Sequence, residues 1–255
     1  MIRGLYTASS GMMVQMTRQD VLSNNLANVN TAGFKKDVVV SQDFPSMLLE
    51  RMGETERRGS APRPAEPVRI GSLGTGTAIA DIFTDHSLGS LRATQNPLDF
   101  ALGPDTYFMV ETPQGTAYTR NGAFTLNADG RLVTGSGYAV MGKEGYIESE
   151  EKMDFDGQGN VLQDGEIINA FNIVRVNDPD RFSKIGDDLL VLEGQDPEVL
   201  DNPQVMLGHL EISNVNAIQE MVDLITVVRS YEVLQKVIQS QDSTLDKVIN
   251  QVGRL

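Results

Sequence analysis

A long apolar repeat near the C-terminus constrains the fold of this 255-residue chain more than any other feature. Over residues 213–252, apolar side chains recur every three or four positions without an intervening proline or glycine, which predicts an amphipathic helix. The main apolar line contains Met221, Leu224, Val228, Tyr231, Leu234 and Ile238. A second line widens it and contains Ile218, Val222, Ile225, Val233 and Val237. Forty helical residues would extend roughly 60 Å, so this helix needs a long partner.

The other end of the chain supplies a candidate partner. Residues 2–29 carry one apolar stripe close to the seven-residue spacing of coiled coils, with Met13 and Met16 beside it. Its members are Leu5, Ala8, Met12, Leu22, Leu26 and Val29. We expect the helix to end near residues 30–33, where Asn and Gly are typical terminators.

Between the two helices the composition changes twice. Residues 37–76 are rich in Gly, Pro and Arg, which predicts an irregular connector without regular elements. Residues 77–83, 107–111 and 173–176 then look like short strands, and turn signals lie at 113–115, 127–130, 156–157 and 163–165. The predicted fold class is α+β. Its domains are a helical coiled-coil layer from residues 1–36 and 213–255, the connector 37–76, and a central, mainly antiparallel β domain at 77–212.

Charge and composition exclude several function classes. Residues 39–213 hold 28 acidic and 13 basic side chains, which disfavours nucleic acid and anionic lipid as partners. The absence of cysteine excludes disulfides, thiolate catalysis and Cys-based zinc sites. The N-terminal residues lack the continuous apolar core of a secretory signal, and no stretch is long enough to span a bilayer. We expect no cofactor and no direct membrane insertion.

Several short blocks carry a family resemblance. Residues 22–35 closely resemble the N-terminal signature of bacterial flagellar basal-body rod and hook proteins, and residues 1–8, 96–102, 118–124, 211–216 and 229–232 continue the resemblance in the family's order. The signature positions are Asn24, Asn25, Leu26, Ala27, Asn28, Gly33, Phe34, Asn96, Pro97, Leu98, Asp99, Ser213, Asn214 and Val215.

The resemblance implies a structural subunit of the flagellar rod and no enzyme. Such a subunit polymerises head-to-tail through its terminal helices, with other copies, other rod proteins and the type III export apparatus as partners. It resides in the basal body after export without a cleavable signal. Residues 138–164 lack the longer insertion associated with distal rod subunits, which favours the proximal type over the distal alternative. The expected interface residues are Leu5, Met12, Met16, Leu22, Leu26, Val29, Met221, Leu224, Val228, Tyr231, Leu234 and Ile238.

Phe44 and Leu48 are similar to the phenylalanine-led motif that the flagellar export gate reads in rod and hook substrates. A phenylalanine four residues before an aliphatic residue also occurs often by chance.

Other constellations leave alternatives open. Residues 154–160 place oxygen ligands at alternate positions, as in a calcium loop, but lack an acid at the twelfth position and favour a tight hairpin. A cell-wall hydrolase would need a cleft around Glu151, Asp154 or His86, and a β-domain adhesin would leave both helices unexplained. His209 fits no catalytic motif. Arg120 and Asp99 lie in family blocks, as an internal pair or as partners of backbone groups.

Overall fold

The computed structural model describes residues 2–44, 46–51, 56–57, 62–63, 68–148, 153–163, 165–192, 194 and 197–252. The chain forms two compact units. The helical unit comprises Met1–Ser23, Val38–Phe83 and Met221–Leu255, and the β unit comprises Asn24–Asp37 and Thr84–Glu220.

Two long helices occupy the chain ends as predicted: α1 (Ile2–Ala27) and α2 (Ala217–Val252). Helix α2 begins four residues later than the repeat suggested because Asn216 caps it. The Asn216 Oδ1 atom accepts hydrogen bonds from the backbone N–H groups of Ile218 at 3.1 Å and Gln219 at 3.3 Å. In the described part of the chain, no helix has an apolar run long enough to cross a bilayer.

The described residues between 37 and 84 form six strands, and we call the range 37–84 the ribbon. They are β1 (Asp37–Asp43), β2 (Met47–Arg51), β3 (Glu56–Arg57), β4 (Pro62–Arg63), β5 (Val68–Leu73) and β6 (Thr77–Thr84). Strand β1 pairs with β6, β2 with β5 and β3 with β4. The expectation that residues 37–76 hold no regular element is wrong for these strands, because local composition does not reveal pairing between distant segments. Parts of the predicted connector, residues 52–55, 58–61 and 64–67, lie outside the described residues.

In its described residues, the β unit contains seventeen further strands and one 3-10 turn at Pro179–Arg181. The strands are β7 (Leu91–Ala93), β8 (Phe100–Leu102), β9 (Thr106–Thr112), β10 (Gly115–Thr119), β11 (Phe124–Leu126), β12 (Leu132–Thr134), β13 (Ala139–Gly142), β14 (Gly145–Tyr146), β15 (Asp154–Phe155), β16 (Asn160–Gln163), β17 (Glu166–Ala170), β18 (Ile173–Arg175), β19 (Phe182–Gly186), β20 (Leu189–Leu192), β21 (Glu198–Val199), β22 (Val205–Leu207) and β23 (His209–Glu211).

The strand pairing confirms a mainly antiparallel β region. The largest sheet has the order β11-β12-β13-β9-β10-β20-β19, and β14, β18 and β21 pair beside this path. A three-stranded sheet joins β15, β16 and β17, while β22 pairs with β8 and β23 with β7. The hairpins β9–β10, β11–β12, β15–β16 and β16–β17 fall at the predicted turns, although Asp164 lies outside the described residues.

The core of the β unit is built around strand β9, whose two faces are both covered. Phe108 and Val110 are fully buried in one cluster, and Tyr107 belongs to a second cluster. The ring of Phe108 contacts the rings of Phe124 and Phe171 with centroids 4.9 and 5.4 Å apart. Each buried aromatic side chain stabilises the fold by about 1.5–3 kcal/mol relative to its exposed state. The β unit therefore has a complete core of its own.

Candidate assembly site

The twelve predicted interface residues lie on α1, on α2 and, for Val29, in the turn after α1. Ten of them are half-buried, whereas Met16 and Met221 are exposed at 58% and 45%. Half-burial means that the chain covers only part of the main apolar line by itself. The second line of α2 is exposed throughout, at 41–74%, and contains Ile218, Val222, Ile225, Val233 and Val237.

Gly11 of α1 packs against Leu234 of α2. A Cβ atom at Gly11 would lie 3.2 Å from Leu234 Cδ1, and one at Gly4 would lie 3.7 Å from the amide of Gln241. Residues earlier in α1 therefore contact residues later in α2, as in an antiparallel helix pair. A small residue such as Gly11 permits the two helices to approach closely. The apolar pattern of the sequence did not predict this role.

Val14 on α1 and Val227 on α2 are 5% and 8% exposed within the chain, and the predicted apolar lines included neither residue. Both are adjacent in sequence to predicted positions or stripes. Because a helix has 3.6 residues per turn, the apolar pattern cannot decide which of two adjacent positions faces the partner helix. The packing of the helices decides which one is buried.

A buried ionic cluster in the β unit brings several signature blocks together. The carboxylate of Glu211 accepts a hydrogen bond from Lys35 Nζ at 2.6 Å through Oε1 and from Arg120 Nε at 2.7 Å through Oε2. The side chains of all three residues are at most 4% exposed. Arg120 also donates to the carbonyl of Thr106, and Gly89 N–H donates to Glu211 Oε1 at 2.8 Å. Arg120 is therefore an internal structural partner.

The pKa values of Glu211 and Lys35 depend on their burial and on the charges beside them. Burial alone would raise the pKa of Glu211, but the charges of Arg120 and Lys35 outweigh it and hold the pKa below the usual 4.5. Burial lowers the pKa of Lys35, although its hydrogen bond and charge interaction with Glu211 act in the opposite direction.

A second set of polar contacts joins the last turns of α1 and the segment after it to the start of α2. The side-chain amide of Asn25 donates to Glu220 Oε2 at 3.3 Å and to the carbonyl of Asp37 at 2.9 Å, while its oxygen accepts from Asp37 N–H at 2.9 Å. Lys184 Nζ contacts the Asp37 carboxylate at 2.7 Å. Asn25 and Glu220 are 1% and 8% exposed. We call this set, together with the ionic cluster, the polar junction. Its members are Asn25, Lys35, Asp37, Arg120, Lys184, Glu211 and Glu220.

Other signature residues support the junction. Gly33 N–H donates to the Glu211 carbonyl at 2.8 Å. Residue 33 must be glycine because its φ is 71° and because a Cβ atom there would lie only 2.5 Å from the carbonyl carbon of Arg120. Lys184 Nζ lies 4.6 Å from the ring centroid of buried Phe34. Asn214 accepts from Lys36 N–H at 2.8 Å and donates to the Asp85 carbonyl at 2.8 Å. These contacts fix the segment that follows α1.

Some signature residues make local side-chain contacts. Asn28 Nδ2 donates to the carbonyl of Asn24 at 3.0 Å at the end of α1. Asn96 Nδ2 donates to Asp99 Oδ1 at 2.9 Å, which stabilises the turn formed with Pro97 and Leu98. The remaining signature positions divide by burial: Val215 and Ser213 are buried, Leu26 is half-buried and Ala27 is exposed.

Phe44 and Leu48, the residues of the export-like motif, are 41% and 50% exposed. Phe44 N–H donates to the carbonyl of Gly76 at 3.0 Å.

The alternative sites are not assembled into a catalytic arrangement among the described residues. Residues 154–160 form the predicted hairpin, in which Asp156 accepts hydrogen bonds from the N–H groups of Gln158 and Asn160. His86 Nδ1 shares a hydrogen bond of 3.0 Å with the Tyr107 hydroxyl. Glu151 lies outside the described residues. No group of three His, Asp or Glu residues in the described chain is placed to hold a metal ion.

Two cavities of about 350 and 540 Å³ lie in the β unit. Neither is lined by Asp154 or His86. The first is polar and includes Asp187 and Asp188, and burial raises the pKa of Asp188.

These features define a class of α+β proteins whose terminal helices carry exposed apolar lines and whose β unit has a complete core. Three family models match the chain: "Flagella basal body rod protein" over residues 5–35, "Flagellar hook protein FlgE/F/G D1 domain" over 101–173, and "Flagellar basal body rod FlgEFG protein C-terminal" over 206–252.

Curated relatives match over nearly their whole lengths. The flagellar basal-body rod protein FlgG of Bacillus subtilis is 33% identical, with 98% of this chain and 99% of the relative covered. The flagellar hook-basal body complex protein FlhO of the same organism is 30% identical, with full coverage of both chains. The flagellar basal-body rod protein FlgF of Rhizobium meliloti is 31% identical, with 98% of each chain covered. The chain belongs to the family of flagellar basal-body rod proteins.

Proposed function

We propose that this protein is a structural subunit of the bacterial flagellar basal-body rod, the shaft that transmits torque. The exposed second apolar line of α2 carries this proposal. Val222, Ile225 and Val233 are 52%, 52% and 58% exposed, an arrangement typical of a surface covered by another protein. Family membership indicates that the covering proteins are other copies and other rod proteins, and it implies a structural role in place of catalysis.

The terminal helices form the assembly layer of this subunit. The contact between Gly11 and Leu234 supports a coiled-coil-like pairing of α1 with α2. Head-to-tail contacts between such pairs generate a helical filament. The twelve predicted interface residues then lie partly within one subunit and partly between subunits.

Two finer assignments belong to the same proposal. The sequence of residues 138–164 lacks the longer insertion associated with distal rod subunits, which favours a proximal rod subunit, and a distal subunit is the alternative. The subunit reaches the basal body through the type III export apparatus without a cleavable signal. The exposed side chains of Phe44 and Leu48 support recognition by that apparatus.

Incorporation of a charged variant tests the proposal. Val233→Glu places a carboxylate on the exposed line, so we expect normal folding of the monomer and loss of the chain from purified hook–basal bodies, measured by quantitative mass spectrometry. Gln239→Glu adds the same charge at an exposed polar position of α2 and should be incorporated normally. Normal incorporation of Val233→Glu would contradict the role of the second line, whereas absence of the wild-type chain from hook–basal bodies would contradict the function.

The amount of wild-type chain in the same preparation separates the two rod assignments. A few copies per structure, relative to the hook subunit, would favour the proximal type. Many more copies would favour the distal type.

A further inference from the structure

The ribbon contacts α1 at the place where its strand pairing is interrupted. Strands β1 and β2 are separated by residues 44–46, and β5 and β6 by residues 74–76. The pairs β1–β6 and β2–β5 are accordingly separate sheets. A two-stranded ribbon is only marginally stable in water, and an interruption in both strands at one level would allow it to bend there.

Side chains of α1 supply hydrogen bonds at this interruption. Thr7 Oγ1 donates to the carbonyl of Thr75 at 3.0 Å, and Ser10 Oγ accepts from the backbone N–H of Thr77 at 3.3 Å. Arg18 Nη2 donates to Ser41 Oγ at 3.1 Å, about two turns further along the helix than Ser10. The backbone N–H of Phe44 donates to the carbonyl of Gly76, which joins the two strands between the separate sheets.

Gly76 makes this arrangement possible because it has no side chain. A Cβ atom built at Gly76 would lie 2.6 Å from Ser10 Oγ and 2.7 Å from Phe44 Cδ2, distances too short for any real contact. Gly76 is buried, whereas a Cβ built at Gly74, two residues earlier, would meet no atom within 4 Å. The absence of a side chain at Gly76 therefore allows the Phe44 ring and the Ser10 hydroxyl to pack against the ribbon backbone.

We propose that Gly76 is a positioning residue for rod assembly: with Phe44 and Ser10 it forms a joint that fixes the ribbon to α1. The subunit then enters the rod with the ribbon in one orientation relative to the helix. Phe44 acts twice, first in the chain presented for export and then as the packed ring of the joint. This inference rests on the proposed function for its consequence, but the joint itself is a property of the free chain.

Gly76→Ala tests the joint, with Gly74→Ala as the matched control and Ser10→Ala as a milder variant that removes only the acceptor for Thr77. In the purified full-length chain, we expect the Thr77 amide to exchange about tenfold faster in Gly76→Ala, since the added methyl displaces the ring and the hydroxyl. Ser10→Ala should accelerate the same amide, and Gly74→Ala should leave it unchanged.

In cells, Gly76→Ala should be exported in normal amounts but incorporated into hook–basal bodies about tenfold less than Gly74→Ala, because an overpacked joint misplaces the ribbon. Unchanged exchange at Thr77 in Gly76→Ala would overturn the joint. Faster exchange with normal incorporation would overturn its role in assembly. Absence of the wild-type chain from hook–basal bodies would overturn the proposed function and with it the role in assembly, while the exchange comparison would still decide the joint.

Discussion

Glu211 is the residue on which the polar junction depends, because its one carboxylate pairs with two buried cations. Lys35 and Arg120 each contact a different oxygen of that carboxylate, and water reaches none of the three side chains to any extent. Burying such charges is costly, and removing one partner leaves the others unpaired in a medium that solvates them poorly.

Replacement of Glu211 by glutamine should therefore destabilise the β unit strongly. We expect Glu211→Gln to lower the free energy of unfolding by about 3–5 kcal/mol, since two buried cations lose their counter-charge. Urea unfolding, followed by near-ultraviolet circular dichroism, would measure this change in the free energy of unfolding. Tyr107 and Tyr118 report on the β unit because both are buried in it.

Glu148→Gln is the matched control for that measurement. Glu148 also pairs with an arginine, Arg131, at 2.8 Å, but the two side chains are 54% and 42% exposed. Exposed pairs contribute little to stability because solvent screens them, so Glu148→Gln should have a much smaller effect than Glu211→Gln. Equal effects of the two substitutions would contradict the importance assigned to the junction.

His86 should make stability depend on pH near neutrality. Burial lowers its pKa below the ordinary 6.5, and the nearby charge of Lys35 lowers it further. The folded chain therefore holds fewer protons than the unfolded chain between the folded pKa and 6.5. The stability contribution is complete above pH 6.5 and is lost as pH falls through the folded pKa, by at most about 1.4 kcal/mol per pH unit.

Comparing urea midpoints of the wild type and His86→Gln between pH 7.5 and 5.5 isolates this contribution. The wild type should lose more stability than the variant as the pH is lowered. Parallel curves would show that His86 titrates alike in the folded and unfolded chains.

The residues of the junction were hard to predict from sequence because their partners are distant along the chain. Lys35 lies 176 positions from Glu211, and Asn25 lies 195 positions from Glu220. No periodicity relates such positions. The available signal was the resemblance itself, since Asn25, Lys35, Arg120 and Glu211 all fall within its blocks, although their pairing was left open.

At the scale of elements, local sequence patterns predicted the helices and strands whose formation depends on neighbouring residues. The 3.6-residue period identified both helices, and short alternating runs with turn residues identified strands such as β6, β9 and β18. The other five strands of the ribbon were missed because Gly, Pro and Arg obscure strand signals, while the pairing that forms β2 and β5 joins residues as far apart as Met47 and Leu73. The predicted domain boundaries stay a prediction.

Charges on the main apolar lines test the helical elements. Leu26→Glu and Leu234→Glu should block incorporation into hook–basal bodies, because both side chains are half-buried and Leu234 packs on Gly11. Loss of the apolar contact should weaken the helices by about 1–2 kcal/mol while the β unit stays folded. Quantitative mass spectrometry of hook–basal bodies and tyrosine circular dichroism of the purified variants would measure the two effects.

Gln235→Glu is the control for these variants, since Gln235 is exposed and adjacent to Leu234. It should be incorporated like the wild type. Normal incorporation of both leucine variants would count against assembly through the main line.

At the scale of the whole molecule, the two units differ in how much core they contain. Among the described residues, the buried apolar side chains of the helical unit are Ala8, Val14 and Val227, whereas the β unit buries a large aromatic and aliphatic cluster. Long helices without sufficient packing are marginally stable in water. The helical unit should therefore gain further order when neighbouring subunits cover its apolar lines, so that rod assembly completes the folding of the helices.

Amide hydrogen exchange can test this coupling. In the dilute monomer, we expect residues 2–23 and 228–252 to exchange faster than the β unit but more slowly than an unfolded chain, because few buried contacts oppose helix opening there. Residues 25–37 and 211–220 should exchange slowly, since the polar junction holds them, and Phe108 in β9 provides an internal reference for slow exchange. In purified hook–basal bodies, the outer helical segments should become protected as well. Strong protection of those segments in the monomer, independent of concentration, would mean that the helices fold completely before assembly.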